Sequence, residues 1–402
     1  MIDRSRIHPY SPGARTLPYA AGAGAVGLIA LLVGFFVDPR QTIFSYHVAF
    51  VYFLGLTLGM LAWLLAFQAV SARWIVVVRR FLEIAASGVP LFVVLFIPVV
   101  IGMRILYPWV VLDPAASGEV LARMHHKRAW LNVPFFLLRS ALYFTLFGAF
   151  ALALARWSRA QDKKIDLLLS LRQRKVAAAG LPIFGISIAF AAFDWIMSLQ
   201  PTFYSTIFGV YYFAGGFVGA MAVLILCAVF AERAGILPPG LVRASHHHAM
   251  GKLLFAFVCF WAYIGFSQYM LIWIGNLPEE IEYFTLRHER GWFPVFLFLV
   301  LFHFVVPFLI LLSRELKRAP RRLAWMAVYL LVVHWVDTYW LVMPYRGVVQ
   351  KPWPGWMIHW QDIAAFIGIG GVTIAFALLR LRGVLPVPVG DPYLPESIGY
   401  ER

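Results

Sequence analysis

The sequence predicts an all-α integral membrane protein with ten transmembrane helices. Hydrophobic residues make up 62% of the 402 positions and charged residues only 13%, which leaves too little polar surface for a soluble globule of this size. Apolar runs of about 20 residues, each long enough to cross roughly 30 Å of hydrocarbon, recur along the chain. We place them at residues 18–37, 46–70, 84–106, 130–155, 176–200, 203–230, 250–275, 292–313, 322–344 and 359–380.

The distribution of positive charge predicts that both termini are cytoplasmic. The N-terminus, the connections after even-numbered helices and the C-terminus carry 24 of the 34 Lys and Arg residues. The opposite connections carry nine, and Arg139 lies within a span. Positive residues favour the cytoplasmic side. The polar opening stretch contains no cleavable signal, so the first helix is expected to act as its own insertion signal. The net charge of +15 then reflects topology and anionic lipid, and no nucleic-acid partner is needed.

The cysteine and histidine content argues against a metal centre within this chain. Only Cys227 and Cys259 are present, each in a predicted span, which excludes a disulfide framework, a cysteine-ligated iron–sulfur or zinc site and a C-x-x-C-H haem attachment. The run 246–248 contains three histidines but no spaced carboxylates, so it does not indicate a metal site. Any redox metal is therefore expected in a partner.

An internal repeat predicts the arrangement of the helices. The motif Tyr-Phe-x-Gly-x-x-x-Gly at 52–59 returns at 212–219, and the ending Asp-x6-Pro at 194–201 returns at 337–344. Helices 2–5 and 6–9 are thus predicted to form two tandem four-helix bundles of the same orientation, flanked by helices 1 and 10. The paired glycines are expected to allow close helix contacts within each bundle. The predicted divisions are 1–45 (N-terminus and helix 1), 46–202 (first bundle), 203–345 (second bundle) and 346–402 (helix 10 and tail).

Three polar stretches interrupt the apolar pattern. Residues 107–129 predict an outer loop with a short interfacial helix that starts at Ser117. Residues 156–175 predict an inner surface helix lying on anionic headgroups. The acidic stretch 276–292 is either a docking surface for an extracytoplasmic partner or solvated charge.

Two aspartates within apolar helices are the first candidates for a functional site. Asp194 and Asp337 each precede a helix-ending proline by seven residues, and a charge in hydrocarbon is costly enough to require an explanation. Arg139 is expected at the same depth as Asp194 in a neighbouring helix, so the two should form an ion pair. Such a pair either fixes the helix register or belongs to a polar path, and the sequence leaves both open.

Asp337 has different expected neighbours. Leu299 stands at the repeat position of Arg139, so no arginine is available to Asp337. His334 lies three residues earlier on the same helical face, and His303 on the preceding helix reaches a similar depth. A carboxylate beside histidines can change protonation near neutral pH, as a proton relay or a quinol-facing base requires.

Other interpretations of these histidines remain open. Each can be a satisfied core residue, and His303 with His334 could act as the axial pair of a b-type haem. The repeat argues against the haem, because Tyr143 and Ala191 replace these histidines in the first copy. Tyr143 is then a further member of the polar core.

A basic segment before helix 4 is a weaker candidate. His125, His126 and Arg128 could contact a quinol head group or the acidic surface of a partner. A basic anchor at the membrane interface is the alternative.

Three longer stretches carry a family resemblance. HHKRAWLN (125–132), FDWIMSLQPTFYSTIFGVYYFAGGF (193–217) and SQYMLIWIGNLPEE (267–280), together with the ten spans and tandem bundles, resemble the NrfD/polysulfide-reductase-C-like membrane proteins. The nearest resemblance is to the ActF family, the smaller such subunits of bacterial alternative complex III, which are labelled quinone-binding subunit 2. The resemblance covers nearly the whole chain.

The resemblance implies a subunit of a quinol:electron-acceptor oxidoreductase in the bacterial inner membrane, with cytochrome c or a blue-copper protein as acceptor. The implied partners are a larger, quinol-oxidising NrfD-like subunit, an iron–sulfur protein and multihaem cytochrome c subunits, which would hold the haem c and iron–sulfur clusters. This chain would pack against the larger subunit without its own redox cofactor and conduct protons.

Two alternatives are kept beside this expectation. The chain could itself bind and oxidise menaquinol or another quinol, which needs a lipid-accessible apolar slot ending at a proton acceptor. It could instead be a secondary transporter, although the repeat helices lack the Gly/Pro-interrupted centres of a substrate site.

Overall fold

The computed structural model describes residues 7–11, 16–111, 118–288, 291–347 and 356–401. Within these ranges it contains no strand and, as predicted, ten helices long and apolar enough to cross a membrane. Labelled α1 to α10 in chain order, they are Thr16–Val37, Pro39–Ala69, Val76–Ile101, Val133–Lys163, Leu167–Leu199, Phe208–Arg233, Ala244–Gly275, Phe293–Leu312, Pro320–Arg346 and Trp360–Leu381.

Polar caps determine where several of these helices begin. The side chains of Asp38, Asn132 and Asp166 accept hydrogen bonds from backbone N–H groups in the first turns of α2, α4 and α5. The Asp166 cap corrects the prediction for residues 156–175. Helix α4 continues to Lys163 and α5 begins at Leu167, so this segment forms the ends of two long helices and not a separate surface helix.

Short helices lie between the long ones. The helix predicted in the outer loop is present as Gly118–His126, whereas its predicted cap, Ser117, lies outside the described residues. Within the acidic stretch 276–292, Pro278–His288 forms a helix. The remaining short α-helices of the described residues are Met103–Leu106, Arg314–Arg318 and Leu394–Ile398, and Lys127–Ala129 forms a 3-10 turn.

Helices α2 and α6 pack against each other at the centre of the molecule, where glycines bring their backbones together. A Cβ atom on Gly59 would lie 2.3 Å from the carbonyl oxygen of Gly216, so only glycine fits at this crossing. The prediction that the paired glycines serve contacts within each bundle is therefore wrong for Gly59, and also for Gly55, where a Cβ would contact the Tyr212 side chain of α6. It holds for Gly215, where a Cβ would lie 2.6 Å from Cε1 of His334 in α9.

The other helices surround this central pair. Helix α2 packs on α3 and α5, and α4 packs on the same two helices; we call α2–α5 the first ring. Helix α6 packs on α7 and α9, and α8 packs on the same two helices; we call α6–α9 the second ring. Helices α1 and α10 pack on each other through close backbone contact of Gly27 with Gly368. Both helices also pack on α2.

The segment before α1 contacts the residues that follow α10, and the C-terminal tail continues from there along the helix ends. Backbone hydrogen bonds join Tyr10 to Val384 and Gly383. Further along the tail, Asp391 forms an ion pair of 2.6 Å with the buried Arg79 of α3. The carbonyl oxygen of Ser397 lies 3.0 Å from Nε2 of His246 in α7. The tail thus contacts the starts of one helix from each ring.

Candidate functional site

The aspartate of the first ring forms the ion pair that the sequence predicts. Asp194 is fully buried near the end of α5. Arg139 of α4 donates to both of its oxygens, from Nε to Oδ2 over 2.8 Å and from Nη2 to Oδ1 over 2.7 Å. The Tyr143 hydroxyl donates to Oδ2 over 2.9 Å, and Nε1 of Trp130 donates to Oδ1 over 3.0 Å. Each carboxylate oxygen therefore accepts two hydrogen bonds.

Arg139 also makes contacts outside the ion pair. Its Nη1 donates to the carbonyl oxygen of Trp130 over 3.0 Å, and its guanidinium carbon lies 4.0 Å from the centre of the Trp130 ring and 4.2 Å from that of Phe135. Each guanidinium nitrogen and each carboxylate oxygen of this buried ion pair makes at least one hydrogen bond, so breaking the pair would be costly. This geometry is typical of a fixed architectural element.

The aspartate of the second ring, Asp337 in α9, lies in different surroundings and is also buried. Tyr211 of α6 donates to Oδ1 over 2.5 Å, and Nε1 of Trp261 in α7 donates to Oδ2 over 3.1 Å. His334, one turn earlier in α9, places Nδ1 3.5 Å from Oδ2. No Lys or Arg of the described residues forms an ion pair with this carboxylate. The imidazole of His334 is the closest basic side chain to this carboxylate among the described residues.

His303 lies beside this cluster because α8 is irregular. Residues Leu299–Val305 form π-helical turns just before Pro307, which has no N–H to donate to the carbonyl of residue 303. The His303 ring is fully buried, 3.9 Å from the Trp261 ring and 6.0 Å from the His334 ring between centroids. Neither of its nitrogens has a hydrogen-bond partner among the described residues. Such a group needs a water molecule or a ligand to satisfy it.

An apolar cavity of about 590 Å³ lies beside the Asp337 cluster, between α7 and α8 and against the helix Pro278–His288. Its volume falls within the roughly 300–1,000 Å³ of small-molecule sites. Tyr211 and Trp261, the two donors to Asp337, form part of its wall. Tyr263 and Phe266 line it too and are 64% and 63% exposed, so the cavity opens on the lateral surface of the helices. The other lining residues are mainly aromatic or aliphatic: Cys259, Ala262, Gly265, Gln268, Tyr269, Tyr283, Phe284, Phe296, Leu299, Val300, Phe304, Val305, Phe308 and Trp340.

A buried arginine behind this cavity is not evident from the sequence. Arg287, in the helix Pro278–His288, is fully buried and donates to the carbonyl oxygens of Tyr283 and Leu341, each over 3.0 Å. Its guanidinium carbon lies 3.6 Å from the centre of the Tyr283 ring and 5.0 Å from that of Trp340, and both rings line the cavity. Sequence reasoning missed Arg287 because it lies in a connection and not in a predicted span. A permanent positive charge therefore lies behind the cavity wall.

The basic segment before α4 lies away from the cavity. His125, His126 and Arg128 are exposed, and none of them lines it. Their neighbour Lys127 donates to the carbonyl oxygen of Pro201 over 2.7 Å. Trp130, which follows, hydrogen-bonds Asp194, so this segment belongs to the first aspartate's surroundings.

Both aspartates thus receive one tyrosine hydroxyl and one tryptophan N–H, but from different places in the repeat. Tyr211 and Trp261 correspond in the first copy to Val51 and Pro98. The repeat therefore could not indicate either donor. The only available signal was the presence of polar-tipped aromatic residues in apolar spans, where buried Tyr and Trp usually find a hydrogen-bond partner.

Comparison with known proteins adds no assignment to this geometry: no family model matches the chain, and no curated protein matches it.

Proposed function

We propose that this chain is a multi-pass membrane subunit that binds a quinol in the cavity beside Asp337, within a quinol:electron-acceptor oxidoreductase complex. The observation that carries the proposal is that a laterally open apolar cavity and a buried carboxylate share the same two side chains, Tyr211 and Trp261. An apolar slot that ends at a proton acceptor is what a lipid-soluble quinol requires.

The residues of the site have distinct roles in this proposal. Aromatic side chains hold the ring and tail of the quinol, and the Tyr211 hydroxyl lies between a bound head group and Asp337. Oxidation of a quinol releases two electrons, which partner cofactors accept, and two protons. Asp337 takes the two protons one after the other through Tyr211, releasing the first before it accepts the second, and the His334 ring lies 3.5 Å from this carboxylate. Arg287 supports negative charge developing near the cavity wall.

The first ring has a structural role in the same proposal. Asp194 is matched by Arg139 and accepts four hydrogen bonds from side chains, which supports fixed architecture over proton transfer. The helices of each ring then form a four-helix bundle in the membrane, flanked by α1 and α10, with the divisions 1–45, 46–202, 203–345 and 346–402. The rings' helix packing supports this arrangement.

The assembly part of the proposal rests on the family resemblance. The chain packs against a larger NrfD-like subunit in the bacterial inner membrane, with both termini cytoplasmic, and the haem c and iron–sulfur clusters belong to partner subunits. The distribution of Lys and Arg supports this orientation, which places both aspartates in the outer half of the membrane. A subunit that conducts protons without binding quinol remains the alternative, and it is favoured by the unpartnered His303.

Thiol protection tests quinol binding, because Cys259 lines the cavity and Cys227 does not. The complex, isolated in mild detergent, is treated with N-ethylmaleimide with and without a short-chain naphthoquinone, and modification is read by peptide mass spectrometry. We expect the quinone to slow modification of Cys259 several-fold and to leave Cys227 unchanged. Equal rates at Cys259 with and without quinone would contradict binding in this cavity.

Composition of the purified material tests the assembly separately. Mild solubilisation should leave the chain attached to partners that contain haem and iron–sulfur clusters, visible by their optical and paramagnetic spectra. A chain that purifies alone and moves a solute into liposomes would instead be a transporter.

A further inference from the structure

One exposed face of α4 changes from apolar to cationic near the helix end. Leu138, Leu142 and Leu152 on this face are 66%, 53% and 38% exposed. Arg156 and Lys163 are also exposed. They lie on the same face as Leu152, because Arg156 follows Leu152 by four residues and Lys163 follows Arg156 by seven, and both spacings are close to whole helical turns. From Phe135 to Leu152 the helix rises roughly 26 Å, close to the thickness of the hydrocarbon core. The cations therefore begin at the depth of lipid headgroups.

An open concavity of about 530 Å³ lies on this cationic part of the face. It is lined by Leu152, Arg156, Arg159, Ala160 and Lys163. Three of these five lining residues are basic, and Ala160 contributes only a methyl group.

The charges around this concavity are not balanced. No ion pair joins Arg156, Arg159 or Lys163 to a carboxylate of the described residues. The nearby carboxylates Glu83 and Asp162 are engaged by Arg80, over 2.8 and 2.5 Å. Arg380, whose Nε donates to Ser87 of α3 over 3.3 Å, lies close enough to repel the charge of Arg159.

We propose that this concavity binds the phosphate of an anionic phospholipid, whose acyl chains lie along the leucines of α4. Arginine side chains bind two phosphate oxygens at once, and basic residues near an anionic bilayer are attracted to its surface. A lipid is favoured over free phosphate because the cationic patch continues directly into the apolar face. A zwitterionic headgroup is disfavoured, since its ammonium would meet these cations.

A lipid titration followed by native mass spectrometry tests this proposal. The detergent-solubilised complex is titrated with phosphatidylglycerol, with phosphatidylcholine and with inorganic phosphate as a competitor. The test variant carries Arg156→Gln, Arg159→Gln and Lys163→Gln. The control variant carries Arg314→Gln, Arg321→Gln and Arg322→Gln, which removes the same charge from exposed positions at the α8–α9 connection.

We expect one tight phosphatidylglycerol site in the native chain and in the control variant, with affinity at least tenfold lower in the test variant. The single change Arg156→Glu, at an exposed position, should lower affinity in the same direction and keeps the test valid if the triple variant fails to fold. Equal binding of both lipids, or unchanged binding in the test variant, would overturn the proposal. Displacement of the lipid by millimolar phosphate would assign the site to a soluble anion and overturn the choice of occupant.

Discussion

Tyr211, whose hydroxyl donates a 2.5 Å hydrogen bond to Asp337, is also one of the residues that line the 590 Å³ cavity. One side chain thereby links a carboxylate that is shielded from water to a space that opens on the lateral surface. In the first ring, Tyr143 makes the equivalent bond to Asp194, but an arginine already neutralises that carboxylate. The two aspartates share a place in the repeat and differ in the side chains that surround them.

Replacing Tyr211→Phe should weaken quinone binding about five- to tenfold. The change removes a hydrogen bond worth about 1 kcal/mol at the head group and leaves Oδ1 of Asp337 without this donor. The readout is the quinone concentration that gives half-maximal protection of Cys259. Tyr263→Phe is the matched control, because this tyrosine lines the exposed part of the cavity and should have little effect. If both changes weakened quinone binding equally, the Tyr211 hydroxyl would make no specific contribution to binding.

Replacing Asp337→Asn should abolish most quinol turnover in the intact complex while leaving the fold in place. An amide keeps the size of the carboxylate, and its single oxygen can accept the hydrogen bond from Trp261 while its NH2 group donates to the Tyr211 oxygen, but it cannot take up a proton. Turnover with a soluble acceptor and proton release to the medium are measured together. Unchanged turnover and release would remove Asp337 from the mechanism.

Replacing Arg139→Gln should destabilise the protein by about 3–5 kcal/mol, because Asp194 would remain buried without a counter-charge. The double change Arg139→Gln with Asp194→Asn should recover a large part of this loss, since no unpaired charge is left. Thermal unfolding in detergent reports both. A double variant as unstable as the sum of the two single variants would show that the residues are not coupled.

Replacing Gly59→Ala should separate α2 from α6 and destabilise the protein by about 1–3 kcal/mol. The added Cβ would lie 2.3 Å from a backbone oxygen of Gly216, which cannot move without shifting a whole helix. Gly185→Ala is the control, since nothing lies within 4 Å of a Cβ at that position of α5. The control should be neutral or slightly stabilising in the same thermal assay.

Replacing Asp391→Asn should loosen the tail and destabilise the protein by about 1–3 kcal/mol, because Arg79 is buried and would lose one of its two carboxylate partners. Limited proteolysis of the C-terminal segment should quicken in parallel. Glu396→Gln breaks the exposed ion pair with Arg73 on the same tail and should have little effect on either measurement. If Glu396→Gln destabilised the protein more than Asp391→Asn, burial of the ion pair could not explain the stability of the tail.

The helices were predictable from sequence because apolar length alone defines a membrane span. The largest differences lie at the connection between α4 and α5, where Asp166 caps the second helix within a stretch rich in Lys and Arg. There the sequence pattern resembles an interfacial helix, and only the local backbone hydrogen bonds distinguish the two forms.

The polar contacts were predictable in part. Arg139 and Asp194 could be paired because two opposite charges at one depth in hydrocarbon have few other partners. Tyr211, Trp261 and the cavity depend on how α6, α7 and α8 lie relative to one another, which the repeat does not encode. The contact of Gly59 with Gly216 likewise depends on the packing between rings.

The contacts of the C-terminal tail with the starts of α3 and α7 have a consequence for biogenesis. Arg79 leaves the ribosome long before its partner Asp391, because helices α4 to α10 lie between the two residues in the chain. Until Asp391 has been synthesised, Arg79 has only Glu83 of its two carboxylate partners. Synthesis of the tail is then the step that completes this contact, so a nascent chain halted before Asp391 should be degraded faster by quality-control proteases.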